Sequence, residues 1–371
     1  MSATGRVKCL KKQMPSLLEQ MLFRTFDERS EPGKPQVFRV SARNLWKRSK
    51  KQMPSLLEQM LFRTFDERMR TKITNADTSA REDMADILVT VIVVAAIILI
   101  GGVLYDSNRF VVREHRITDK RIKKTAIAVV LADLHNKRYG RENEKLLEAI
   151  RQQNPDFILI AGDLITAKPG KSLKPATELL KELSKDYPVY YANGNHEYRL
   201  KLYPKTYGNM AQEYGQALEK LGIDPLVNSH VVLAEYGLAI YGAEIEKKLY
   251  RRFRIPQMSE DYMNSILGQA PKNMYSVLLA HNPDYFPRYA AWGADLVLSG
   301  HVHGGVARVP LLGKGIISPG LRLFPKYDGG IFHEGESTMV LSRGLGMHTI
   351  HVRLFNPAEL WVVELEPKTE V

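Results

Sequence analysis

A run of nineteen residues without a charged side chain constrains this chain more than any other feature. Residues Ile87 to Tyr105 read ILVTVIVVAAIILIGGVLY. At about 1.5 Å per residue, a helix over them is roughly 28 Å long, which is enough to cross the hydrocarbon core of a bilayer. A cleaved secretory signal is the alternative, but 86 residues precede the run and no small-x-small site stands out beyond Gly101-Gly102. We therefore expect an uncleaved, single-pass transmembrane helix over residues 86–105.

The orientation of that helix is ambiguous. Its near flanks hold 4 Lys and Arg in residues 66–86 and 7 in residues 106–124, a bias that favours a cytoplasmic C-terminal part. The opposite orientation avoids export of a long basic tail ahead of the first apolar segment. We expect the C-terminal domain to be extracytoplasmic.

The tail that precedes the apolar run contains an exact repeat. Residues 11–29 and 50–68 both read KKQMPSLLEQMLFRTFDER, which indicates a recent duplication or a cloning artefact. Each copy places its apolar residues on one face of a helix, as in a membrane-surface or self-associating segment. A poorly ordered tail is the alternative, since so short a helix needs a packing partner.

Charge and cysteine content narrow the function classes. The chain has a net charge of +12, but residues 1–85 carry 18 Lys and Arg against 10 Asp and Glu, so most of the excess lies in the tail. We therefore expect no nucleic-acid partner. The single cysteine, Cys9, excludes an intrachain disulfide and leaves His, Asp, Glu and Asn as the residues able to bind a metal.

After a basic connector, residues 106–124, apolar runs alternate with amphipathic segments. The apolar runs predict strands over residues 126–132, 157–161, 189–192, 238–243, 276–280, 295–299, 338–342 and 360–365. Helical spacing predicts helices over residues 143–152, 173–183 and 210–221. This pattern is typical of an α/β domain with at least eight strands.

Polar residues follow five of these strands directly. The five motifs are Asp133-Leu134-His135, Gly162-Asp163, Gly194-Asn195-His196-Glu197, Ala280-His281-Asn282 and Gly300-His301-Val302-His303. Each motif alone could be a helix cap, a turn or a buried histidine. Five in succession are not independent accidents, and the carboxyl ends of strands are where open α/β sheets place their ligands. The sequence thus predicts one site built from all five.

In this order the motifs resemble the calcineurin-like metallophosphoesterase superfamily, and the likeness covers about Ile122 to Glu366. The resemblance implies an α/β fold: a four-layer αββα metallophosphoesterase sandwich of two mixed sheets. This catalytic domain would occupy residues 125–371. One transmembrane helix and a basic N-terminal tail, residues 1–85, would precede it.

The resemblance also implies two divalent metal ions, for which mixed imidazole and carboxylate ligands suit manganese, iron or zinc. One ion would be held by Asp133, His135, Asp163 and His303, and the other by Asp163, Asn195, His281 and His301. A hydroxide bridging the ions would attack phosphorus. His196 would donate a proton to the leaving oxygen or stabilise it.

Further matches point to a membrane-anchored bacterial phosphodiesterase branch similar to UDP-diacylglucosamine hydrolases. The matching segments are Gly304-Gly305 and residues 323–327, 342–346 and 353–360. The segment after Asp163, Leu164-Ile165-Thr166, lacks the arginine of protein phosphatases. Ala132, Glu197, Val306 and the Gly242-Ala243-Glu244 segment depart from the branch pattern, and of these Glu197 and Val306 bear on the substrate.

The expected function is therefore a hydrolase that cleaves a phosphodiester or pyrophosphate bond at a bilayer. Its substrate would be a lipid-linked nucleotide such as UDP-diacylglucosamine, a compound of lipid A biosynthesis. A phosphomonoesterase and a catalytically inactive scaffold of the same fold are the alternatives. The segment from Lys247 to Arg254 holds five Lys and Arg in eight residues, and could bind a phosphate-rich headgroup or the bilayer surface, or form a solvated loop.

Overall fold

The computed structural model describes residues 80–305, 307–309, 312–347 and 352–368, with side chains from residue 86 onward. The duplicated segments 11–29 and 50–68, and Val306, lie outside the described residues. The chain divides into two units, residues 1–105 and residues 106–371.

Helix α1 (Ala80–Ser107) contains the uncharged run. Over Asp86–Ser107 it is long and apolar enough to cross a membrane. Only 6% of its most apolar window is buried, unlike the core helix of a soluble protein, and Ile87 and Leu88 are more than half exposed. The predicted helix is therefore present with slightly wider bounds.

Two mixed sheets form the second unit, as predicted. The five-stranded sheet has the order β1-β11-β2-β3-β4. Its strands are β1 (Phe110–Asp119), β2 (Ala126–Leu131), β3 (Phe157–Ala161), β4 (Val189–Ala192) and β11 (Ala358–Pro367). The six-stranded sheet has the order β5-β6-β7-β8-β10-β9. Its strands are β5 (Ser229–Leu233), β6 (Leu238–Ala243), β7 (Tyr275–Ala280), β8 (Leu296–Ser299), β9 (Gly330–Glu334) and β10 (Ser337–Leu341).

Strand β1 differs from the sequence expectation, which placed residues 110–119 in a connector. It pairs in parallel with β11 along its whole length, from Phe110 opposite Ala358 to Asp119 opposite Pro367. Arg113 and Arg116 form ion pairs with Glu359 and Glu364 of β11. An edge strand with charged side chains lacks the apolar run by which the inner strands are recognised, which explains the difference.

Three apolar cores create four layers. The central core lies between the sheets and includes Val130 and Leu159 from one and Val277 and Leu298 from the other. Helices cover the outer face of the first sheet: α2 (Glu144–Gln152), α3 (Lys174–Asp186), α4 (Asn195–Leu202), α5 (Pro204–Tyr207) and α6 (Met210–Lys220). Two shorter helices cover the outer face of the second: α7 (Tyr262–Leu267) and α8 (Phe286–Trp292). The predicted αββα sandwich is confirmed.

Candidate metal centre

All eight predicted site residues lie just beyond the carboxyl ends of five strands. Strands β2, β3 and β4 run parallel in one sheet, and β7 and β8 run parallel in the other. Because the sheets pack face to face, loops from both meet at the same end of the sandwich. The sequence-predicted residues are thereby brought together, although they are spread over 170 positions from Asp133 to His303.

One group is formed by Asp133, His135 and His303, whose ligand atoms lie within 4.8 Å of one another. The Nε2 atoms of His135 and His303 are 3.1 Å apart. Asp133 Oδ1 lies 3.3 Å from His303 Nε2 and 3.6 Å from His135 Nε2. This oxygen is buried and has no hydrogen-bond partner among the described residues. Two imidazoles and a carboxylate at these distances fit a divalent cation.

A second group of the same size is formed by Asp163, His281 and His301. His281 Nε2 lies 3.0 Å from Asp163 Oδ2 and 3.7 Å from Asp133 Oδ1. Asp163 Oδ2 is also 3.9 Å from His135 Nε2. The Asp163 carboxylate therefore faces both groups, as a bridging ligand must.

Asn195, the remaining predicted ligand, is partly buried at the start of α4. It lines the same cavity as Asp163 and His301. Its Oδ1 atom is buried and lacks a hydrogen-bond partner within the described ranges. A buried amide oxygen without a partner is costly, and a cation would satisfy it.

The backbone at this centre is strained. Asp133, His135, Asp163, His301 and His303 all have φ between +50° and +73°. Residues other than glycine rarely adopt this left-handed backbone conformation, and its energetic cost is tolerated mainly at functional sites. Here it turns ligand side chains from successive residues toward one centre.

Two glycines leave room for the carboxylates. A Cβ atom on Gly194 would lie 2.2 Å from Asp163 Oδ1, and one on Gly300 would lie 2.3 Å from Asp133 Oδ2. Both distances are far below van der Waals contact. The glycine in the motifs before Asn195 and His301 is thus required by close approach of a ligand residue.

Hydrogen bonds to carbonyl groups orient two of the imidazoles. His135 Nδ1 donates to the Ile165 carbonyl at 3.2 Å, and His281 Nδ1 donates to the Ala161 carbonyl at 2.7 Å. In the neutral ring, a proton on Nδ1 leaves the lone pair on Nε2. Each ring therefore presents Nε2 to the centre, as is common for metal-binding histidines.

The ionised carboxylates and one neutral imidazole favour a cation, whereas His281 would have to lose a proton to bind it. Burial opposes a charge on His281, but the charges of Asp163 and Asp133 outweigh burial and raise its pKa to about 10. Burial opposes ionisation of Asp133, but the charges of His303 and His281 outweigh it and hold its pKa well below the usual range. For Asp163 the charges of His281 and His196 outweigh burial in the same way and hold its pKa low. Burial, reinforced by the charge of His281, lowers the pKa of His301 to about 3. Anionic carboxylates and a neutral imidazole are the forms that bind metals.

His196 has its ring proton on the other nitrogen from His135 and His281. It is buried, and its Nδ1 accepts a hydrogen bond from the Ala167 N–H at 2.7 Å. The neutral ring therefore carries its proton on Nε2, which lies 4.0 Å from Asp163 Oδ2. Although His196 lies close enough to His135 and Asp163 to form a third geometric group, a protonated Nε2 cannot bind a metal. The Nε2–H group of His196 is therefore a hydrogen-bond donor on the side of Asp163.

Glu197 is a residue whose role sequence reasoning missed. Its buried carboxylate accepts hydrogen bonds from the backbone N–H groups of Asp163 and Gly194, each at 2.9 Å, and of Ile165 at 3.3 Å. It also accepts from Tyr191 Oη at 2.8 Å. Glu197 does not line the cavity of the metal centre, so this departure from the branch pattern concerns the support of the Asp163 loop.

Two of the C-terminal motifs also support the centre. The buried Arg353 guanidinium donates to the carbonyls of Arg343, Gly344 and Gly346. Asn356 Nδ2 donates to the His303 carbonyl at 2.7 Å. These contacts fix the loops that surround the ligands, which gives a structural reason for the matching segments.

An open cavity of about 490 Å³ leads to the two groups. Its wall is rich in cationic and phenolic side chains, namely Arg199, Lys247, Arg251, Arg252, Arg322, Tyr198, Tyr203, Tyr207 and Tyr250. The Lys247 ammonium lies 4.3 Å from the centre of the Tyr203 ring. Such a wall suits an anionic ligand that also has a planar or apolar part.

Comparisons with known proteins agree with this geometry. Residues 128–305 match the family model for calcineurin-like phosphoesterases. The chain is 30% identical to an uncharacterised metallophosphoesterase of Campylobacter jejuni over 67% of this chain and 61% of that protein. It is 26% identical to a transmembrane protein with metallophosphoesterase domain of Danio rerio, over 64% of this chain and 52% of that protein.

A third relative is the phosphodiesterase YaeI of Escherichia coli, which is 28% identical over 58% of this chain and 73% of that protein. The chain spans only about half to three fifths of the length of the first two relatives. The segment matched by the family model, residues 128–305, contains all five ligand loops. The matched domain, the fold and the paired Asp and His groups together support the calcineurin-like metallophosphoesterase superfamily as the family of this chain.

Proposed function

We propose that this protein is a membrane-anchored phosphoesterase that hydrolyses a phosphodiester or pyrophosphate bond with two divalent metal ions. The observation that carries the proposal is the pair of three-residue groups joined by Asp163, beside a histidine with its proton on Nε2. The first ion would be held by Asp133, His135, Asp163 and His303, and the second by Asp163, Asn195, His281 and His301. When bound, the ions supply a nucleophilic water and neutralise charge on the phosphoryl oxygens.

The protein's own residues have separable tasks in this reaction. Asp133 and Asp163 would act as ionised ligands, because the charges of neighbouring histidines hold their pKa low despite burial. Carbonyl groups accept hydrogen bonds from the Nδ1 atoms of His135 and His281 and so orient these rings. His196 would donate its Nε2 proton to the leaving oxygen, and the Ala167 N–H would stabilise its Nδ1 lone pair. General acid catalysis of this kind typically contributes 10²- to 10⁴-fold.

The cavity wall supports a substrate with more than one anionic group. Arg199, Lys247, Arg251 and Arg252 line it beyond the ligand atoms, so a second phosphate of a pyrophosphate could be bound there. The tyrosines offer flat faces for a base or sugar. A lipid-linked nucleotide such as UDP-diacylglucosamine has all of these parts, and we propose this class of substrate.

Helix α1 supports the membrane anchor by its length and exposure, and the Danio rerio relative is described as a transmembrane protein. We propose a single-pass protein with an extracytoplasmic catalytic domain. Resistance of the full chain to alkaline carbonate extraction tests the anchor, and protease accessibility of the domain in intact spheroplasts tests the orientation. Release by carbonate contradicts the anchor.

A substrate panel tests the reaction. The full chain in detergent, loaded with Mn²⁺, is compared on p-nitrophenyl phosphate, bis-p-nitrophenyl phosphate and a UDP-linked lipid analogue. We expect turnover of the last two to exceed that of the monoester, and Asp163→Asn to abolish it while the exposed-site control His230→Asn has no effect. Preference for the monoester would favour a phosphomonoesterase, and no turnover with both ions bound would favour a scaffold.

A further inference from the structure

Three of the most exposed apolar side chains of the catalytic unit lie in two loops beside the cavity. Within the described part of residues 106–371, four large apolar side chains are more than three fifths exposed: Phe253, Leu312, Leu323 and Phe324. Three of them belong to two loops, residues 251–255 and 319–324, which we call the rim loops. Ile255 and Leu321 add half-exposed apolar side chains to the same loops. Single exposed apolar residues are normal in soluble proteins, but a cluster indicates an interaction surface.

The rim loops are joined to each other and to the site. The Phe253 N–H donates to the Gly320 carbonyl at 3.0 Å. Arg252 of one loop and Gly320 and Arg322 of the other line the cavity of the metal centre. The apolar cluster therefore borders the entrance through which a substrate reaches the metal centre.

Backbone conformation presents these side chains outward at an energetic cost. Phe253, Leu321 and Phe324 have φ of 65°, 59° and 45°. This left-handed conformation is unusual for bulky residues. The cost is not offset by packing within the domain, because all three side chains are exposed. Burial of these side chains against an interaction partner would offset this conformational cost.

Positive charge accompanies the apolar cluster. Arg251, Arg252 and Arg254 are exposed and alternate with Phe253 and Ile255. None of the three arginines forms an ion pair with any residue that the structure describes. Apolar side chains interleaved with unpaired cations are the composition of surfaces that insert into the headgroup region of an anionic bilayer.

We propose that the rim loops dock the catalytic domain on an anionic lipid surface, with Phe253, Leu323 and Phe324 in the acyl boundary and Arg254, which does not line the cavity, among the lipid phosphates. The surface adds a second membrane contact to the anchor of the proposed function. A cationic protein-binding surface would attract an acidic partner without requiring three exposed bulky residues in strained conformations. Docking would place the cavity entrance at the depth of an amphipathic substrate's headgroup.

The test uses the full chain in vesicles with an environment-sensitive fluorophore at one site. In a Cys9→Ser background, Leu323→Cys is labelled with nitrobenzoxadiazole, and Val232→Cys, exposed on β5, is the matched control. Vesicles are phosphatidylcholine with or without phosphatidylglycerol. With phosphatidylglycerol, the emission from position 323 should shift to shorter wavelength and be quenched by nitroxide lipids, while position 232 reports water.

Charge removal provides a second measurement. Arg254→Gln, combined with the label at position 323, should lower the ratio of docked to undocked domain by about fivefold, which corresponds to the roughly 1 kcal/mol that one cation contributes at an anionic surface. A label at position 323 that reports water in both lipids overturns the proposal and is the result expected for a protein-binding surface. Equal quenching at positions 323 and 232 also overturns it, because tethering alone would then explain the signal.

The readout is independent of hydrolysis. A quenched label in a protein that turns over no phosphoester would refute the proposed function and leave docking intact. An active enzyme with a label in water would refute docking alone.

Discussion

Glu197 offers the sharpest test of how the fold supports the metal centre. Its carboxylate accepts from three backbone N–H groups, those of Asp163, Ile165 and Gly194, and from the Tyr191 hydroxyl. Truncation in Glu197→Ala leaves all three backbone donors without a partner. Each unsatisfied buried donor costs about 1 to 3 kcal/mol, so the loss is at least about 3 kcal/mol.

Glu197→Gln should be milder for a geometric reason. If the amide oxygen takes the place of Oε2, it keeps the bonds from Asp163 and Gly194, while the NH₂ group faces the Ile165 N–H and the Tyr191 hydroxyl. The hydroxyl can rotate to accept, which leaves one backbone donor unsatisfied. We expect a loss of about 1 kcal/mol or slightly more.

These free energies correspond to measurable melting shifts. For a domain of this size, 1 kcal/mol lowers Tm by about 2 to 4 °C, so Glu197→Ala should melt about 6 to 12 °C lower and Glu197→Gln about 2 to 4 °C lower. The measurement is tryptophan fluorescence of the full chain in detergent with a chelator present, because Trp292 and Trp361 lie in the catalytic unit.

Metal content measured on the same variants separates support of the site from general stability. Because Glu197 holds the loop of Asp163, we expect Glu197→Ala to bind fewer ions even at temperatures at which it is folded. Glu213→Ala, on the exposed face of α6, is the control and should change neither Tm nor metal content. A Glu197→Ala protein with wild-type Tm and full metal content would refute the reasoning.

Three further predictions follow from contacts at the site and at the sheet edge. His196→Ala should lower kcat by about 10²- to 10⁴-fold with unchanged metal content, and near-normal turnover of a phosphodiester would remove His196 from proton donation. His301→Ala and His303→Ala should each lose mainly one ion, because they lie in different groups, and loss of both ions together from either variant, measured by elemental analysis, would contradict separate sites. Arg121 lies 2.8 Å from both Asp119 and Asp295, and its hydrogen bond holds the pKa of Asp119 below 3.8. A carboxylate with a lowered pKa stabilises the fold at pH values above its unfolded pKa, and this stabilisation is lost as the pH falls through its folded pKa. Chemical denaturation should therefore show that Arg121→Gln lowers the free energy of unfolding most at neutral pH and least in acid. A loss that does not change with pH would contradict this ion pair.

The sequence predicted the inner strands well and the edges poorly. The inner strands β3 and β6 have the predicted bounds, because continuous apolar runs mark strands buried on both faces. The edge strand β4 was also predicted with its observed bounds, because its short run is apolar and aromatic and ends in the buried residues Tyr191 and Ala192. Strands β1, β5 and β9 were not predicted, since at the sheet edges their side chains are mostly exposed and charged or polar residues interrupt the pattern. Helix α4 was missed because its first residues, Asn195 and His196, were recognised only as a ligand motif.

The candidate ligands could be predicted because each follows a strand in chain order. The supporting contacts could not. Glu197, Arg353 and Asn356 act through backbone groups of loops that are distant in sequence, and no spacing rule indicates which carbonyl or N–H they will meet. In the sequence, the rim loops were recognised only as a basic segment and part of a matching segment, because the exposure of Phe324 and the hydrogen bond between Phe253 and Gly320 depend on the fold.

The position of β11 has a consequence for biosynthesis. This last strand lies between β1 and β2, and the residues it joins, such as Arg113 and Glu359, are 246 positions apart. At 5 to 20 residues per second, a ribosome needs on the order of 10 to 50 s to make that stretch. During this time β2, which carries the Asp133 and His135 loop, has one edge without its partner. The nascent domain therefore emerges with an open strand edge beside its first candidate metal ligands, and β1 and β2 can join one sheet only when β11 has been made.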